Sequence, residues 1–247
     1  MNTQKHQTNL ALFDPRYFPR ISEFRRLFYA DSVIILDAIP VRGVWHNVQS
    51  PEDEAKYDPI NIAMLPSEPL KVPFKNIGNQ TFANVVCRQD GWQSNHVHIL
   101  SENYKGHSHN LGPVLDQIAN FPIRYSDGIR RMWRLLADYI DTEEIEKIIF
   151  LSDLKKLPTF TNRADLTITL GKKFGATHIL YPQNGWIYHR AKISKHFTVL
   201  RDNFPLPRYI SRYHPDWSII DAIAKLGQLG LADYFTTIAT KDGWRVI

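Results

Sequence analysis

Residues 9–37, NLALFDPRYFPRISEFRRLFYADSVIILD, decide the predicted fold class of this chain. The apolar run over 9–13 predicts a buried strand, and Asp14-Pro15 predicts the turn that ends it. Apolar residues at helical spacing predict a helix over 21–30. A second strand is predicted over 31–37, because the run Val33–Leu36 is apolar without polar alternation, which is typical of a strand covered on both faces. The segment therefore predicts a βαβ unit with parallel strands.

The whole chain, 1–247, is predicted to be a single α/β domain with two added segments. Prolines recur between about 38 and 90, which predicts an inserted lobe of short strands and loops. The helical period returns three times between about 92 and 141 and predicts a helical segment. Further strands are predicted over 147–151, 177–181 and 197–201, and further helices over 162–174, 218–226 and 231–239. Together these elements predict a mainly parallel, Rossmann-like three-layer sheet.

The composition excludes several classes of protein. Of the 247 residues, 43% are apolar and 22% are charged, and 12 Gly with 15 Pro are too few for a collagen-like or disordered chain. The formal net charge of +5 favours phosphorylated or nucleic-acid partners without requiring them. Cys87 is the only cysteine, so no intrachain disulfide can form. Neither a signal-peptide core nor an apolar run of ~20 residues is visible, and a cytoplasmic protein without a membrane span is expected.

Several motifs resemble those of one known family. Asp14-Pro-Arg-Tyr-Phe-Pro19, followed by Arg26, Ala30-Asp31 and Asp37, resembles the N-terminal signature of WbqC-like proteins, which is typically Gln-Pro-x-Tyr-Phe-Pro followed by Lys, Ala-Asp and Asp. Later matches have the same order and similar spacing. They are 70–73 (LKVP), Trp92-x-x-x-His96 with Tyr104, 151–154 (LSDL), 174–176 (FGA), Asn184-Gly185 with Tyr188, and 218–221 (SIID). The chain departs from the pattern at Asp14 (usually Gln), Arg20 (usually Trp), Pro40 (usually Gln) and His46-Asn47 (usually Asn-Arg).

The resemblance implies a function in bacterial surface-glycan synthesis. WbqC-like proteins are known mainly from gene clusters for O-antigen and lipopolysaccharide, with a proposed transfer of a glycyl or other acyl group to an amino sugar. It therefore implies an acyl or aminoacyl transferase, a nucleotide-linked amino sugar as acceptor, and an activated acyl donor, with aminoacyl-tRNA as one candidate. No cofactor is identified.

Two other classes of function stay open from the sequence. One is a nucleotide-binding enzyme of the nucleotidylyltransferase type, although the His-x-Gly-His signature of that class is missing after the first strand. The other is a ligand-binding family member without catalytic activity. A P-loop and a G-x-G-x-x-G fingerprint are both absent from the sequence.

Asp14 and His96 are the predicted catalytic residues. Asp14 follows a parallel strand, at the edge where α/β folds bind ligands, although Asp before Pro also commonly caps a turn. The His96 imidazole has a pKa suited to accepting a proton from an amine that attacks an acyl carbon, although a lone helical His is more often structural. The His96-x-His98 and His107-x-His109 spacings place side chains on different helix faces, so no metal site is predicted.

The predicted substrate-binding residues fall into three groups. Tyr17 and Asp37 flank the first helix, and Arg42 and Asn47 lie shortly beyond the second strand. The helical segment contributes Trp92 and Tyr104, on roughly the same face as His96. Residues after later strands complete the set: Ser152, Asp153, Asn184 and Tyr188. Each has a structural alternative, such as a cap, a salt bridge or a turn.

The topology makes a geometric prediction about these residues. Asp14, Asp37, Ser152 and Asn184 each follow a predicted parallel strand, and the carboxyl ends of parallel strands lie at one edge of a sheet. We therefore expect the four side chains to line one cleft, with Trp92 and His96 as its wall or lid.

Overall fold

The computed structural model describes residues 7–41, 62–63, 70–139, 143–181, 190–203, 218–239 and 244–246. In chain order, the strands are β1 (Asn9–Phe13), β2 (Ser32–Ile35), β3 (Ile62–Ala63), β4 (Leu70–Lys71), β5 (Phe74–Lys75), β6 (Val86–Cys87), β7 (Ile148–Phe150), β8 (His178–Tyr181), β9 (Thr198–Asp202) and β10 (Trp244–Val246). The α-helices are α1 (Ile21–Arg25), α2 (Trp92–Asn103), α3 (Gly112–Ala119), α4 (Tyr125–Tyr139), α5 (Arg163–Lys173), α6 (Arg190–Ile193) and α7 (Ile219–Ala239). The fold is mixed α/β.

The central sheet has six strands in the order β10-β9-β8-β1-β2-β7. Strands β7, β2, β1, β8 and β9 pair in parallel, whereas β10 pairs antiparallel with β9. The predicted mainly parallel sheet is therefore confirmed, and the antiparallel edge strand is an addition that the sequence did not predict. From β1 the chain builds outward to β2 and β7, and it then returns to the other side of β1 with β8 and β9. The direction of strand order thus reverses between β1 and β8.

The helix of the N-terminal βαβ unit is shorter than the sequence predicts. The α-helix ends at Arg25 and tightens into a 3₁₀ turn over Arg26–Phe28, instead of continuing to residue 30. The reason is the start of β2. Asp31 donates its backbone N–H to the Asn9 carbonyl and accepts the Asn9 N–H on its side chain at 2.7 Å, which requires the chain to turn back first. The apolar residues of β1 and β2 are buried, as expected for strands covered on both faces.

The helical segment packs against this unit. Its three helices are present as predicted, and a 3₁₀ turn over Lys105–Leu111 joins the first two. On α4, Trp133 stacks on Phe13 and on Phe24, each with a ring-centroid distance of 5.3 Å. These stacked pairs hold the helical segment against β1 and α1. They stabilise this packing because stacked aromatic rings bury a large apolar area.

The proline-rich segment contains two short antiparallel pairs in its described part, β3–β4 and β5–β6. The chain over 81–87 is a strand only at Val86–Cys87, because Asn84 and Val85 donate backbone N–H groups to the Thr81 carbonyl and form a turn. At the other end of the chain, α7 breaks at Gly227 as predicted, where φ is +65°. Asn110 donates its amide to the Ala224 carbonyl at 2.9 Å beside this break. None of the described helices has the length and apolar character to cross a membrane.

Candidate functional site

Polar side chains follow three parallel strands at the carboxyl edge of the sheet. Asp14 follows β1, Asp37 lies just beyond β2, and Ser152 follows β7. The prediction that these three residues lie at one edge agrees with the parallel pairing of the strands. They form two separate clusters within that edge, however, rather than one continuous lining. Asn184 lies outside the described residues, as do Arg42, Asn47 and Tyr188, and their predicted roles stay predictions.

The first cluster, which we call the Asp14 cluster, is centred on Asp14, Arg26 and Arg163. Asp14 forms an ion pair with Arg163, the first residue of α5, and both side chains are partly exposed, at 17% and 23%. It lies where the strand order reverses between β1 and β8. In open α/β sheets this reversal creates a crevice at the carboxyl ends of the strands, and ligands commonly bind there.

Arg26 is the buried cation of the Asp14 cluster. Its Nη1 donates to the carbonyls of Leu12 and Leu180, each at 3.2 Å, and these carbonyls belong to β1 and β8. The guanidinium also lies 4.3 Å from the centroid of the Phe13 ring. Burial lowers the pKa of Arg26 to about 10, while the carboxylates of Glu23, Asp14 and Asp202 oppose that shift. Arg26 therefore keeps its positive charge at neutral pH.

Tyr181 ends β8 beside the same two arginines. Burial raises the pKa of Tyr181, whereas the positive charges of Arg163 and Arg26 and a hydrogen bond with Thr167 oppose that rise. Thr167 also donates its hydroxyl to the Arg163 carbonyl at 2.8 Å, one turn earlier in α5. Among the described residues, two cations, one carboxylate and two hydroxyl groups thus lie near the carboxyl ends of β1 and β8.

The second cluster, which we call the Asp37 cluster, is more enclosed. Asp37 is fully buried and accepts hydrogen bonds from the Ser126 hydroxyl at 2.9 Å, the Ser152 hydroxyl at 2.6 Å and the Ser152 backbone N–H at 2.9 Å. Arg130 lies 3.6 Å from the same carboxylate. Asp37 therefore fastens the loop after β7 to α4, and its predicted contact with a substrate stays a prediction.

Arg130 covers the Asp37 cluster on its solvent side. Its guanidinium donates to both Asp153 oxygens at 2.8 Å and to the Ser152 hydroxyl at 3.0 Å, and it lies 3.8 Å from the centroid of the Phe150 ring. Ser152 is held between Asp37 and Arg130, and none of its hydrogen-bond partners among the described residues is a histidine. This arrangement favours a role for Ser152 in holding Asp37 and Arg130 in place over a role as a nucleophile.

His96 and Trp92 lie in an aromatic cluster behind the loop that follows β1. His96 is 4% exposed, and its Nδ1 lies 3.3 Å from the Tyr17 hydroxyl. The Tyr17 ring also contacts Trp92 and Phe121 edge-to-face, with centroids 6.0 and 5.6 Å apart. These burials place Trp92 and His96 in the core, so neither forms an exposed lid, and their predicted place in the wall of a cleft stays a prediction.

The surroundings of His96 favour its neutral form. Burial lowers the pKa of His96 to about 4, and a hydrogen bond with the Lys71 backbone opposes that shift only in part. The tautomer of the His96 ring decides which group donates in its contact with the Tyr17 hydroxyl. A base of such low pKa binds a proton weakly at neutral pH. The predicted catalytic role of His96 is untested, and its contacts give it a positioning role toward Tyr17.

Tyr104, which directly follows α2, has a defined hydrogen-bond partner. Its hydroxyl donates to Asp221 at 2.9 Å, and both residues are buried. Burial raises the pKa of Asp221, which the Tyr104 hydrogen bond opposes. Asp221 lies in the first turn of α7, and the Ile220 N–H in that turn donates to the Ser218 hydroxyl at 3.3 Å.

Four residues of these clusters were not predicted as site residues from the sequence: Arg26, Ser126, Arg130 and Arg163. In the sequence, the only signal for Arg26 is its place in the N-terminal family-like signature. Arg163 directly follows Asn162, whose side chain accepts the Asp165 N–H and caps α5, so a helix start was visible. Its partner Asp14 is 149 positions away, and no local pattern joins them.

Within the described ranges, no group of three or more His, Cys, Asp or Glu side chains is placed to hold a metal ion. Comparison of the chain with protein-family models, with curated proteins and with solved structures gave no match.

Proposed function

We propose that this chain is a WbqC-like transferase with a Rossmann-like three-layer fold. The reaction is transfer of an acyl or aminoacyl (glycyl) group to the amine of a nucleotide-linked amino sugar, in the synthesis of a surface polysaccharide such as O-antigen. The order and spacing of the family-like motifs support the family. The strand order, which reverses beside β1, supports the Rossmann-like class.

One observation carries the location of the site. The Asp14 cluster places a carboxylate and two arginines at the point where the strand order reverses. Guanidinium groups bind phosphate oxygens, and a carboxylate can accept a hydrogen bond from an amine. A nucleotide-linked amino sugar carries both kinds of group. In this proposal Arg163 orients the substrate.

The chemical step is formation of an amide. The sugar amine attacks the acyl carbon of the activated donor, a C–N bond forms, the bond to the donor's leaving group breaks, and the amine loses a proton. Asp14 is the side chain we propose to accept that proton, because it is partly exposed at the crevice. His96 acts indirectly here, by holding Tyr17 in the loop that carries Asp14.

The experiment is product analysis with the purified full chain. Amino-sugar nucleotides are incubated with an activated glycine donor, and the amide product is detected by mass spectrometry. We expect product with the unchanged protein and a large loss of turnover with Asp14→Asn, at nearly unchanged melting temperature. The matched control is Asp138→Asn, which removes an exposed carboxylate from α4.

Other outcomes would overturn this assignment. Release of pyrophosphate from ATP or CTP, without an amide product, would favour the nucleotidylyltransferase type. Ligand binding without turnover across a panel of donors would favour a non-catalytic binding protein. Unchanged turnover of Asp14→Asn with a lowered melting temperature would make Asp14 structural.

A further inference from the structure

We infer that Arg163 and Arg26 form a binding site for a phosphate or diphosphate group, and that Asp14 occupies Arg163 until that group displaces it. This inference rests on the proposed function, because the proposed acceptor carries a diphosphate. Beyond that function, Arg163 and Arg26 are assigned as the side chains that bind the anion, and the Asp14 carboxylate as the internal group that competes with it.

The charges of the surrounding residues support an anion site. Arg26 is under the influence of three carboxylates, and each of these carboxylates makes an ion pair with a different arginine. The pairs are Arg16–Glu23 at 2.9 Å, Arg25–Asp202 at 2.6 Å and Arg163–Asp14. Arg26 itself forms no ion pair with a described residue, and its Nη1 donates to neutral strand carbonyls instead. A buried charge is costly unless a counter-charge compensates it, and a bound anion would supply one.

The contacts of Arg26 leave one of its guanidinium donors without a partner among the described residues. Nη1 is used by the two strand carbonyls, whereas Nε is buried and has no hydrogen-bond partner among the described residues. Buried N–H groups in folded proteins nearly always have a partner, so an unpaired guanidinium N–H indicates a partner that is missing. A ligand oxygen at the crevice would supply such a partner.

The Asp14–Arg163 pair has the character of an exchangeable contact. Both side chains are partly exposed, and ion pairs that reach solvent contribute little net stability. A phosphate group offers Arg163 the same bidentate geometry as a carboxylate, with more charge. Arg163 also begins α5, so the positive end of that helix dipole lies at the same point and favours an anion.

The position in the fold agrees with the charge. Arg26 contacts the ends of β1 and β8, and Asp14 directly follows β1, so the arginines flank the gap at which strand order reverses. The Asp37 cluster, in contrast, has its carboxylate satisfied by serine donors and covered by Arg130. Among the described residues, the Asp14 cluster therefore combines a buried arginine, Arg26, with a partly exposed ion pair, Asp14–Arg163.

The test is calorimetric titration of the full chain with inorganic pyrophosphate and with a nucleoside diphosphate, at fixed ionic strength. We expect Arg163→Gln to weaken binding of both about ten- to hundredfold, as expected for loss of a charge-assisted contact. Asp14→Asn is expected to strengthen binding about tenfold, because it removes the competing carboxylate. Arg131→Gln, which removes an exposed arginine from α4, is the matched control and is expected to change nothing.

Each contrary result overturns a stated part of the inference. Absence of pyrophosphate binding, or binding equally tight in Arg163→Gln and the unchanged protein, would overturn the site. Binding equal or weaker in Asp14→Asn would overturn displacement of the carboxylate. A nucleoside diphosphate that binds independently of Arg163 would place the diphosphate elsewhere. Phosphate binding without amide product would overturn only the proposed transferase, and amide product without phosphate binding would overturn only this site.

Discussion

Replacing Asp37 with alanine is expected to destabilise the protein strongly. The carboxylate is fully buried and accepts three hydrogen bonds, two from hydroxyl groups and one from a backbone N–H. The change removes all three acceptor contacts, and it also removes the negative charge that lies 3.6 Å from Arg130.

The magnitude follows from the groups left behind. Hydrogen bonds to a charged group contribute about 1.5–3 kcal/mol each, and a buried donor left without a partner costs about 1–3 kcal/mol. The two serine hydroxyls can rotate toward other acceptors, whereas the Ser152 backbone N–H cannot. We therefore expect a loss of about 3–5 kcal/mol in the free energy of unfolding, the usual cost of breaking a buried charged network.

The assay is urea unfolding followed by circular dichroism, with the m-value checked for two-state behaviour. The control is Asp153→Ala, which removes the other carboxylate bound by Arg130. Asp153 is 55% exposed, and a loss of less than about 1 kcal/mol is expected for that pair. Equal losses in the two variants would refute the argument, because burial of the Asp37 carboxylate would then have no energetic consequence.

Three further predictions test other parts of the fold. The folded-state pKa of His96 is about 4, below its usual 6.5, so the unfolded state binds more protons between those two pH values. The free energy of unfolding should therefore fall by up to about 3 kcal/mol as the pH is lowered from 6.5 to 4. His96→Gln should lessen this fall in unfolding experiments. Gly128→Ala would place its Cβ 2.0 Å from the Phe121 ring and should lower stability by about 1–3 kcal/mol in thermal unfolding, whereas Gly106→Ala meets no atom within 4 Å and should not. Asp202→Asn removes the carboxylate charge that pairs with the buried Arg25 and should lower the free energy of unfolding in urea by about 3–5 kcal/mol. The same change at Asp233, on the exposed side of α7, should lower it little. An Asp202→Asn protein as stable as the unchanged one would contradict the buried ion pair.

Local patterns were sufficient for the elements that bury continuous apolar runs. The strand over Asn9–Phe13 has the bounds that the sequence predicts, and α5 differs from its prediction by a residue at each end. The break at Gly227 follows from a backbone conformation that other residues rarely adopt. In each case the signal lies within a few neighbouring residues.

Elements that depend on distant partners were missed or misjudged. The strand Trp244–Val246 has no apolar run of its own and forms because its backbone pairs with β9. The first helix is shorter than its pattern because Asp31 must reach Asn9. The contact between His96 and Tyr17 joins residues 79 positions apart, and no local pattern predicts it.

The sequence by itself determined that this is an α/β chain with a mainly parallel sheet, and that Asp14, Asp37 and Ser152 follow parallel strands. The physical reason is that strand burial and helical spacing are recorded in consecutive side chains. Only the tertiary structure decided that Asp14 pairs with Arg163, that Asp37 is enclosed by Ser126 and Ser152, and that Arg26 lies between the ends of β1 and β8. Those contacts join residues far apart in the chain, and strand order and packing, rather than any local pattern, bring them together.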